Sequence, residues 1–160
     1  MNSLLTSRAG RGVRRWLAAL LVATLPLATA AQTQPQPKLP TVNLTAGMHR
    51  ISAEVAQSAQ QRQMGLMLRK DMAPHEGMLF VFEEAGPHCF WMKNTLLPLS
   101  IAFVADDGRI VNIADMKPHA LESHCAAQPV RFALEMNQGW FAKRGIRPGF
   151  QLSGPPFKRP

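Results

Sequence analysis

The feature that most constrains the fold is a series of short apolar segments between residues 77 and 137, separated by turn residues. LPLSIAFV is followed by Asp107-Gly108 and then by RIVNIADM. An Asp-Gly pair between two apolar segments is a strong signal for a tight β-hairpin. The sequence therefore predicts two antiparallel neighbours in a sheet over residues 97–116.

The segment VRFALEMN, residues 130–137, alternates strictly, which is the pattern of a half-buried strand. It predicts that Phe132, Leu134 and Met136 point inward and that Ala133 and Glu135 point outward. HRISAEVA, GMLFVF and PHCFWMKNT are predicted as further strands, and FQL as a short closing strand. Residues 117–129 have no periodicity and carry two prolines, so we expect a loop there.

Two short helices complete the predicted elements. Ser58 opens the first, and Gln61 stands three residues later in a capping-box arrangement. The second is one or two turns within residues 138–149, ended by Gly145. Many short strands with two small helices predict a mainly-β fold, a sandwich or barrel.

The first 31 residues have the features of a secretory signal peptide. Four arginines (Arg8, Arg11, Arg14 and Arg15) precede an apolar run over residues 16–27, and ATAAQ follows it. The run is shorter than the roughly 20 residues that span a bilayer. We therefore expect cleavage after residue 30 or 31, export to the periplasm or the medium, and no membrane span afterwards. General secretion is favoured over the twin-arginine route.

Beyond this leader, the sequence predicts one domain. Residues 32–40 are rich in proline and glutamine and are expected to form an extended tether. The domain is predicted over residues 41–152, followed by a loose tail over residues 153–160. About 130 mature residues suffice for a single core.

The high net charge of the chain is mostly a property of the leader. Four of the 18 basic residues and none of the 10 acidic ones lie there, so the formal charge falls from +8 to +4 on cleavage. The remaining charge is not concentrated in any tract. Nucleic acid is therefore not expected as a partner.

Three motifs together resemble a known family. They are RQMGLMLRKDMAPHEGMLFVF, FWMKNTLLPLSIAFVADDGRIV and GWFAKRGIRPG, in this order over residues 50–152. The chain resembles the family called domain of unknown function 192. The resemblance implies a compact, jelly-roll-like β domain, and it implies no activity because the family has no established biochemical function. The loop KPHALESHCAAQP departs from the proline- and cysteine-rich loop of the family pattern.

Lys93 and Asn94 interrupt an apolar run and allow two interpretations. In the structural one, Asn94 ends a strand and Lys93 covers Trp91 with its methylenes. In the functional one, the pair flanks a polar pocket together with Glu135 or Asp115. The predicted ligand-binding residues are Trp91, Lys93, Asn94 and Glu135, with His119 and His124 at the rim.

Cys89 and Cys125 are predicted to form a disulfide, because the chain is expected to be exported and has two cysteines. The bond would close a loop of about 36 residues and stabilise the fold by roughly 3–4 kcal/mol. A free or redox-active thiol is one alternative. A zinc or copper site formed by His88, Cys89, His119, His124 and Cys125 is another.

Catalysis has one candidate pair. Asp115 and Glu135 could face each other across adjacent strands as a general acid–base pair in a hydrolase of an envelope substrate, although nothing in the sequence places them within reach. The serines lack a nucleophile-elbow context, and scattered methionines suit a core better than copper(I). The preferred hypothesis is a non-catalytic module that binds a small molecule or an envelope component, with no metal or other cofactor.

Overall fold

The computed structural model describes residues 33–157, and the predicted leader lies outside that range. Within it, helix α1 spans Ala59–Met64 and a 3-10 helix spans Ala142–Arg144. The mainly-β fold class is confirmed. The strands are β1 (Thr41–Ala46), β2 (His49–Ala56), β3 (Glu76–Gly86), β4 (Cys89–Phe90), β5 (Leu99–Val104), β6 (Ile110–Met116), β7 (His124–Cys125), β8 (Val130–Asn137) and β9 (Leu152–Ser153).

Seven of these strands form one curled sheet in the order β6-β5-β8-β3-β2-β1-β9. Its neighbours are antiparallel except β2 and β3, which are parallel. A parallel pair needs a crossover connection, and residues 57–75 supply it with α1. β4 and β7 form a separate antiparallel pair, and strands β3, β4 and β8 contribute to the candidate site.

The large sheet is buried on both faces, because a different set of segments covers each one. This explains why β5 reads as a continuous apolar run rather than an alternating one. The first core contains Ala102, Phe132, Leu134, Met136, Trp140 and Phe141. The second core contains Leu66, Met78, Phe80, Met92, Ile101, Phe103 and Ala133.

Two predictions based on local signals are confirmed. The Ser58 hydroxyl accepts a hydrogen bond from Gln61 N–H (3.2 Å), and the Gln61 side chain accepts one from Ser58 N–H (3.0 Å). The β5–β6 hairpin turns at Gly108, whose φ is +92°. A Cβ at Gly108 would lie 2.4 Å from the carbonyl oxygen of Leu152, so the close approach requires glycine.

The strand predicted over PHCFWMKNT is wrong beyond Phe90. Strand β4 ends there, and Met92 N–H donates to the carbonyl of Ala120 (2.9 Å). Asn94 then adopts a left-handed conformation with φ +57°, which no strand accommodates. The predicted loop 117–129 contains the two-residue strand β7 that pairs with β4.

Ordered contacts extend beyond the predicted limits of the domain. In the predicted tether, Gln36 Nε2 donates to the carbonyl of Gly65 (2.8 Å) and Leu39 N–H donates to the Glu54 carboxylate (2.8 Å). In the predicted tail, Phe157 is buried in the first core. These contacts are distant in sequence, so periodicity does not reveal them. No helix within residues 33–157 is long and apolar enough to cross a membrane.

Candidate functional site

Glu135 occupies the middle of the central strand β8 and faces the second core. Its register partners are Met78 on β3 and Ile101 on β5. Paired residues on neighbouring strands share a face of the sheet, and both partners are fully buried. The prediction that Glu135 points outward into water is therefore wrong: its side chain points to the opposite face from Leu134, but the second core covers that face.

The carboxyl group of Glu135 lines a cavity of about 250 Å³ between the sheet, α1 with the following turn, and β4. Aromatic and aliphatic groups form most of the lining. Four polar residues interrupt this apolar surface: Arg62, Gln63, Thr95 and Glu135. The other lining residues are Met64, Gly65, Leu66, Met67, Phe80, Phe82, Cys89, Phe90 and Trp91.

Glu135 has no partner for its carboxyl group within residues 33–157. Its side chain is 5% exposed, and no described residue forms a hydrogen bond or an ion pair with it. Burial therefore raises the pKa of Glu135 to about 8. At neutral pH the group is a protonated acid that can both donate and accept a hydrogen bond.

A neighbouring buried carboxylate shows the contrast. Glu54 on β2 pairs in register with Met78 and so lies in the same row as Glu135. Both of its carboxylate oxygens accept hydrogen bonds from Arg69, at 2.8 Å each. The sequence thus supplies a cation for one buried acid and leaves the other unpaired.

A network of backbone hydrogen bonds holds the turn over residues 91–96 beside the cavity. Leu68 N–H donates to the carbonyl of Asn94 (2.9 Å), and His119 N–H donates to that of Thr95 (3.1 Å). Thr95 N–H donates to the carbonyl of Met92 (3.0 Å). These bonds fix Thr95, which is buried, with its side chain on the cavity wall.

The Lys93–Asn94 pair serves this turn rather than the cavity. Asn94 supplies the left-handed residue and the carbonyl that accepts from Leu68. Lys93 is exposed, and its Nζ lies 5.3 Å from the centroid of the Trp91 ring. Neither residue lines the cavity, whereas Trp91 does. Of these predicted residues, Trp91 and Glu135 therefore line the same cavity. Lys93 and Asn94 are exposed to solvent outside it.

The two predicted rim histidines do not reach the cavity either. His119 is exposed and has a left-handed backbone with φ +60°. His124 lies in β7 opposite Phe90, and its Nε2 is 3.6 Å from Glu122 Oε1.

The Sγ atoms of Cys89 and Cys125 lie 2.13 Å apart, which is disulfide distance, so the predicted pairing is confirmed. The bond joins β4 to β7, and Cys89 itself lines the cavity. The proposed metal ligands are therefore not available as a set, because both thiols are consumed. Within residues 33–157 no group of three His, Cys, Asp or Glu side chains could hold a metal ion.

Asp115 and Glu135, the pair considered for catalysis, do not face each other. Asp115 pairs with Ser100, and Ser100 pairs with Met136, a residue of the first core. Asp115 therefore lies on the opposite face of the sheet from Glu135. It accepts a hydrogen bond from the Ser100 hydroxyl and lines a different cavity. Strand β5 also lies between β6 and β8, so the two carboxylates are separated by a strand as well as by the sheet.

Most residues of the cavity wall carry no signal of a site in the sequence. Phe80 and Phe82 on β3, Phe90 on β4 and Leu66 after α1 were assigned to strands or a helix without a site. Gly65, with φ +48°, ends α1 and allows the chain to approach Phe80, whose ring would lie 3.2 Å from an added Cβ. The motif QMGLM was the available signal for this approach.

Comparison with known proteins identifies relatives without an established activity. A protein of Sinorhizobium meliloti 1021, whose name proposes a transcription regulator, is 38% identical with a TM-score of 0.70; the match covers 74% of this chain and 97% of that one. A protein of unknown function from Novosphingobium aromaticivorans DSM 12444 is 34% identical with a TM-score of 0.68, covering 79% and 94%. No curated protein matches.

The family comparison agrees with the resemblance seen in the motifs. The model of the family DUF192, described as "Uncharacterized ACR", matches residues 41–154. The matched range includes the whole of the large sheet and every residue that lines the Glu135 cavity. The chain belongs to the DUF192 family.

Proposed function

We propose that this protein is a non-catalytic module that binds a small organic molecule in the Glu135 cavity. One observation carries the proposal: a buried carboxyl group without a protein partner opens onto an aromatic cavity. Leaving a buried polar group unpaired costs about 1–3 kcal/mol. A ligand that forms hydrogen bonds with Glu135 would recover part of that cost.

The composition of the cavity favours binding over catalysis. Glu135 and Arg62 are its charged residues, and an arginine remains protonated at physiological pH. The described lining therefore offers one acid, which is protonated at neutral pH, and the Thr95 hydroxyl, which lacks a base to activate it as a nucleophile. Hydrolysis with two carboxyl groups would need a partner that the lining does not provide.

Export remains part of the proposal. The basic residues and apolar run of the first 31 residues support secretion, and the Cys89–Cys125 pair fits an oxidising compartment. We place the protein in the periplasm or outside the cell. An envelope component is the other partner considered, because Trp91, which lines the cavity, is an exposed apolar side chain.

The name of the Sinorhizobium protein proposes regulation for that protein. Nucleic-acid binding by this chain has little support, since its expected mature charge of +4 is not concentrated in a tract. We therefore expect a small molecule rather than DNA or RNA.

An NMR screen with small fragments tests the proposal, using the indole signals of Trp91 and Trp140. Trp91 lines the cavity, whereas Trp140 is buried in the first core and donates to the carbonyl of Pro74 (2.8 Å). A ligand in the cavity is expected to shift the Trp91 signal and to leave the Trp140 signal unchanged. A screen in which no fragment shifts Trp91, or every fragment shifts both indoles equally, would refute the proposal.

A further inference from the structure

Two features of the Glu135 cavity, its aromatic rings and its carboxyl group, both favour a positively charged ligand. Phe80, Phe82, Phe90 and Trp91 line it, and the carboxyl group of Glu135 is its acidic group. The faces of aromatic rings carry negative potential and attract cations within about 6 Å. Two cations of the protein already use this attraction: Arg62 lies 5.1 Å from the Phe82 centroid and Lys93 lies 5.3 Å from the Trp91 centroid.

No cation of the described chain neutralises Glu135. On the neighbouring strands its partners are apolar, Met78 on β3 and Ile101 on β5. On α1, Arg62 uses both protons of Nη1 on backbone carbonyls, those of Gln57 and Val81. Burial raises the pKa of Glu135, and Arg62 does not offset this effect.

The remaining charged groups near the cavity have other contacts. In the same row of the sheet, Glu54 is paired with Arg69. On the outer side, His88 stacks on Phe82 at 3.5 Å between centroids and is not part of the lining. The cavity therefore combines aromatic walls with an acid that lacks a counter-ion.

We infer that the ligand is a small organic cation, with an ammonium group that pairs with Glu135 and an apolar body that contacts the aromatic walls. This inference rests on the ligand-binding function proposed above. A cavity of about 250 Å³ lies just below the range of about 300–1,000 Å³ typical of drug-sized ligands. The ligand is accordingly an amine with a short alkyl chain or a single ring.

Proton release distinguishes a cation from a neutral ligand. The free protein holds a proton on Glu135 below pH 8. When an ammonium ion binds, the carboxyl group loses that proton to solvent and the resulting carboxylate pairs with the cation. Affinity is then expected to rise with pH, about tenfold per unit well below the pKa. A neutral ligand that accepts a hydrogen bond from the acid would instead lose affinity above pH 8.

Three probes of one shape test the inference: benzylammonium, benzyl alcohol and benzoate, titrated against the protein at pH 6, 7 and 8. The Trp91 indole signal reports binding. The dissociation constant of benzylammonium is expected to fall about tenfold from pH 6 to 7 and about fivefold from pH 7 to 8. At pH 8, benzyl alcohol and benzoate are expected to bind more weakly than benzylammonium.

Glu135→Gln supplies the matched variant, with Asp115→Asn as its control on the opposite face of the sheet. Glu135→Gln is expected to weaken the binding of benzylammonium at pH 8 at least tenfold and to remove the pH dependence of its affinity. Asp115→Asn is expected to change neither. If Glu135→Gln does not fold, the titrations of the unmodified protein at pH 6, 7 and 8 are sufficient to test the inference.

The possible failures are distinguishable. If benzyl alcohol or benzoate shifts the Trp91 signal and binds as tightly as benzylammonium at pH 8, the inference that the ligand is a cation is refuted. The proposed ligand-binding function is not affected by that result. The same holds for benzylammonium affinity that does not change between pH 6 and 8. Failure of all three probes to shift Trp91 would count against the ligand-binding function itself.

Discussion

At the scale of single residues, Glu135 dominates the behaviour of this protein. A carboxyl group at the centre of a seven-stranded sheet, 5% exposed and unpaired within residues 33–157, can remain there because it is protonated. An ionised carboxylate without a counter-ion would be far more costly to bury. The site is therefore sensitive to pH even though it contains no histidine.

The folding stability of the protein is expected to fall as the pH rises from 4.5 to 8. Glu135 has its pKa raised from 4.5 to about 8 in the folded state, so in this window the folded chain holds a proton that the unfolded chain has lost. At about 1.4 kcal/mol per pH unit, the loss over the whole titration amounts to roughly 5 kcal/mol, of which about 3.5 kcal/mol falls between pH 5 and pH 8. Urea unfolding at pH 5 and pH 8 measures it.

Glu135→Gln is expected to remove this decline, because an amide does not titrate. Asp115→Asn serves as the control and should keep the decline of the wild-type protein. Equal slopes of stability against pH for wild type and Glu135→Gln would show that Glu135 is ionised in the folded state.

Lys93→Ala is expected to have a small effect on both folding and binding. Lys93 contacts the Trp91 ring from the solvent side, and an exposed cation–π contact contributes about 0.5–1 kcal/mol. We expect a change in the free energy of unfolding below about 1 kcal/mol and a change in ligand affinity of a few-fold. Denaturation and titration of Trp91 fluorescence measure the two. Complete loss of binding would instead make Lys93 part of the site.

The position of Glu135 shows how far sequence reasoning reaches at this scale. Strict alternation in β8 correctly separated Leu134 and Met136 from Ala133 and Glu135. It assigned the second pair to solvent, because periodicity defines two faces and does not reveal what packs against each. The segments that cover this face are distant in sequence, so the cavity could not be predicted.

At the scale of secondary-structure elements, local signals predicted well and non-local ones did not. The capping box of α1 and the Asp107-Gly108 hairpin depend on residues within four positions of one another, and both were confirmed. The length of β4 depends on pairing with β7, more than 30 residues away, and was overestimated. The disulfide was predictable because two cysteines allow one pairing.

Loss of the Cys89–Cys125 bond is expected to destabilise the domain by about 3–4 kcal/mol, since the bond closes a 36-residue loop. It should also weaken ligand binding, because β4 and its neighbour Trp91 form part of the cavity wall. Urea unfolding of the Cys89→Ser/Cys125→Ser variant measures the first effect. Adding reductant to that variant is the control. An unchanged free energy of unfolding would mean that strand pairing alone holds β4 to β7.

The Glu54–Arg69 ion pair tethers the turn after α1 to β2. Arg69→Met removes both hydrogen bonds of this pair and leaves the buried carboxylate with the more distant, exposed Lys38 Nζ at 3.8 Å, so it is expected to cost about 3 kcal/mol. Adding Glu54→Gln should recover most of this loss, because the amide oxygen can still accept from Leu39 N–H. The free energies of unfolding of the two variants test this. Equal stability of the single and double variants would indicate that the carboxylate reaches water.

At the scale of the whole molecule, the curled sheet separates two cores and two cavities. One side holds Glu135 and the aromatic cavity; the other holds Ser100 and Asp115. The sequence predicted the mainly-β class correctly, but not the strand order or the parallel β2–β3 pair that carries α1 to the Glu135 side. Strand order depends on contacts between distant segments, which no local pattern encodes.

Three claims depend on Glu135 being an unpaired, buried acid. They are the ligand-binding function, the cationic nature of the ligand and the pH dependence of stability and affinity. Carbon-13 NMR of the Glu135 carboxyl carbon, assigned by the signal missing from Glu135→Gln, measures the ionisation of this acid directly. We predict a titration midpoint near pH 8 in the unliganded protein. A midpoint near the ordinary value of 4.5 would show that the carboxylate meets water or a partner, and it would contradict the proposed site.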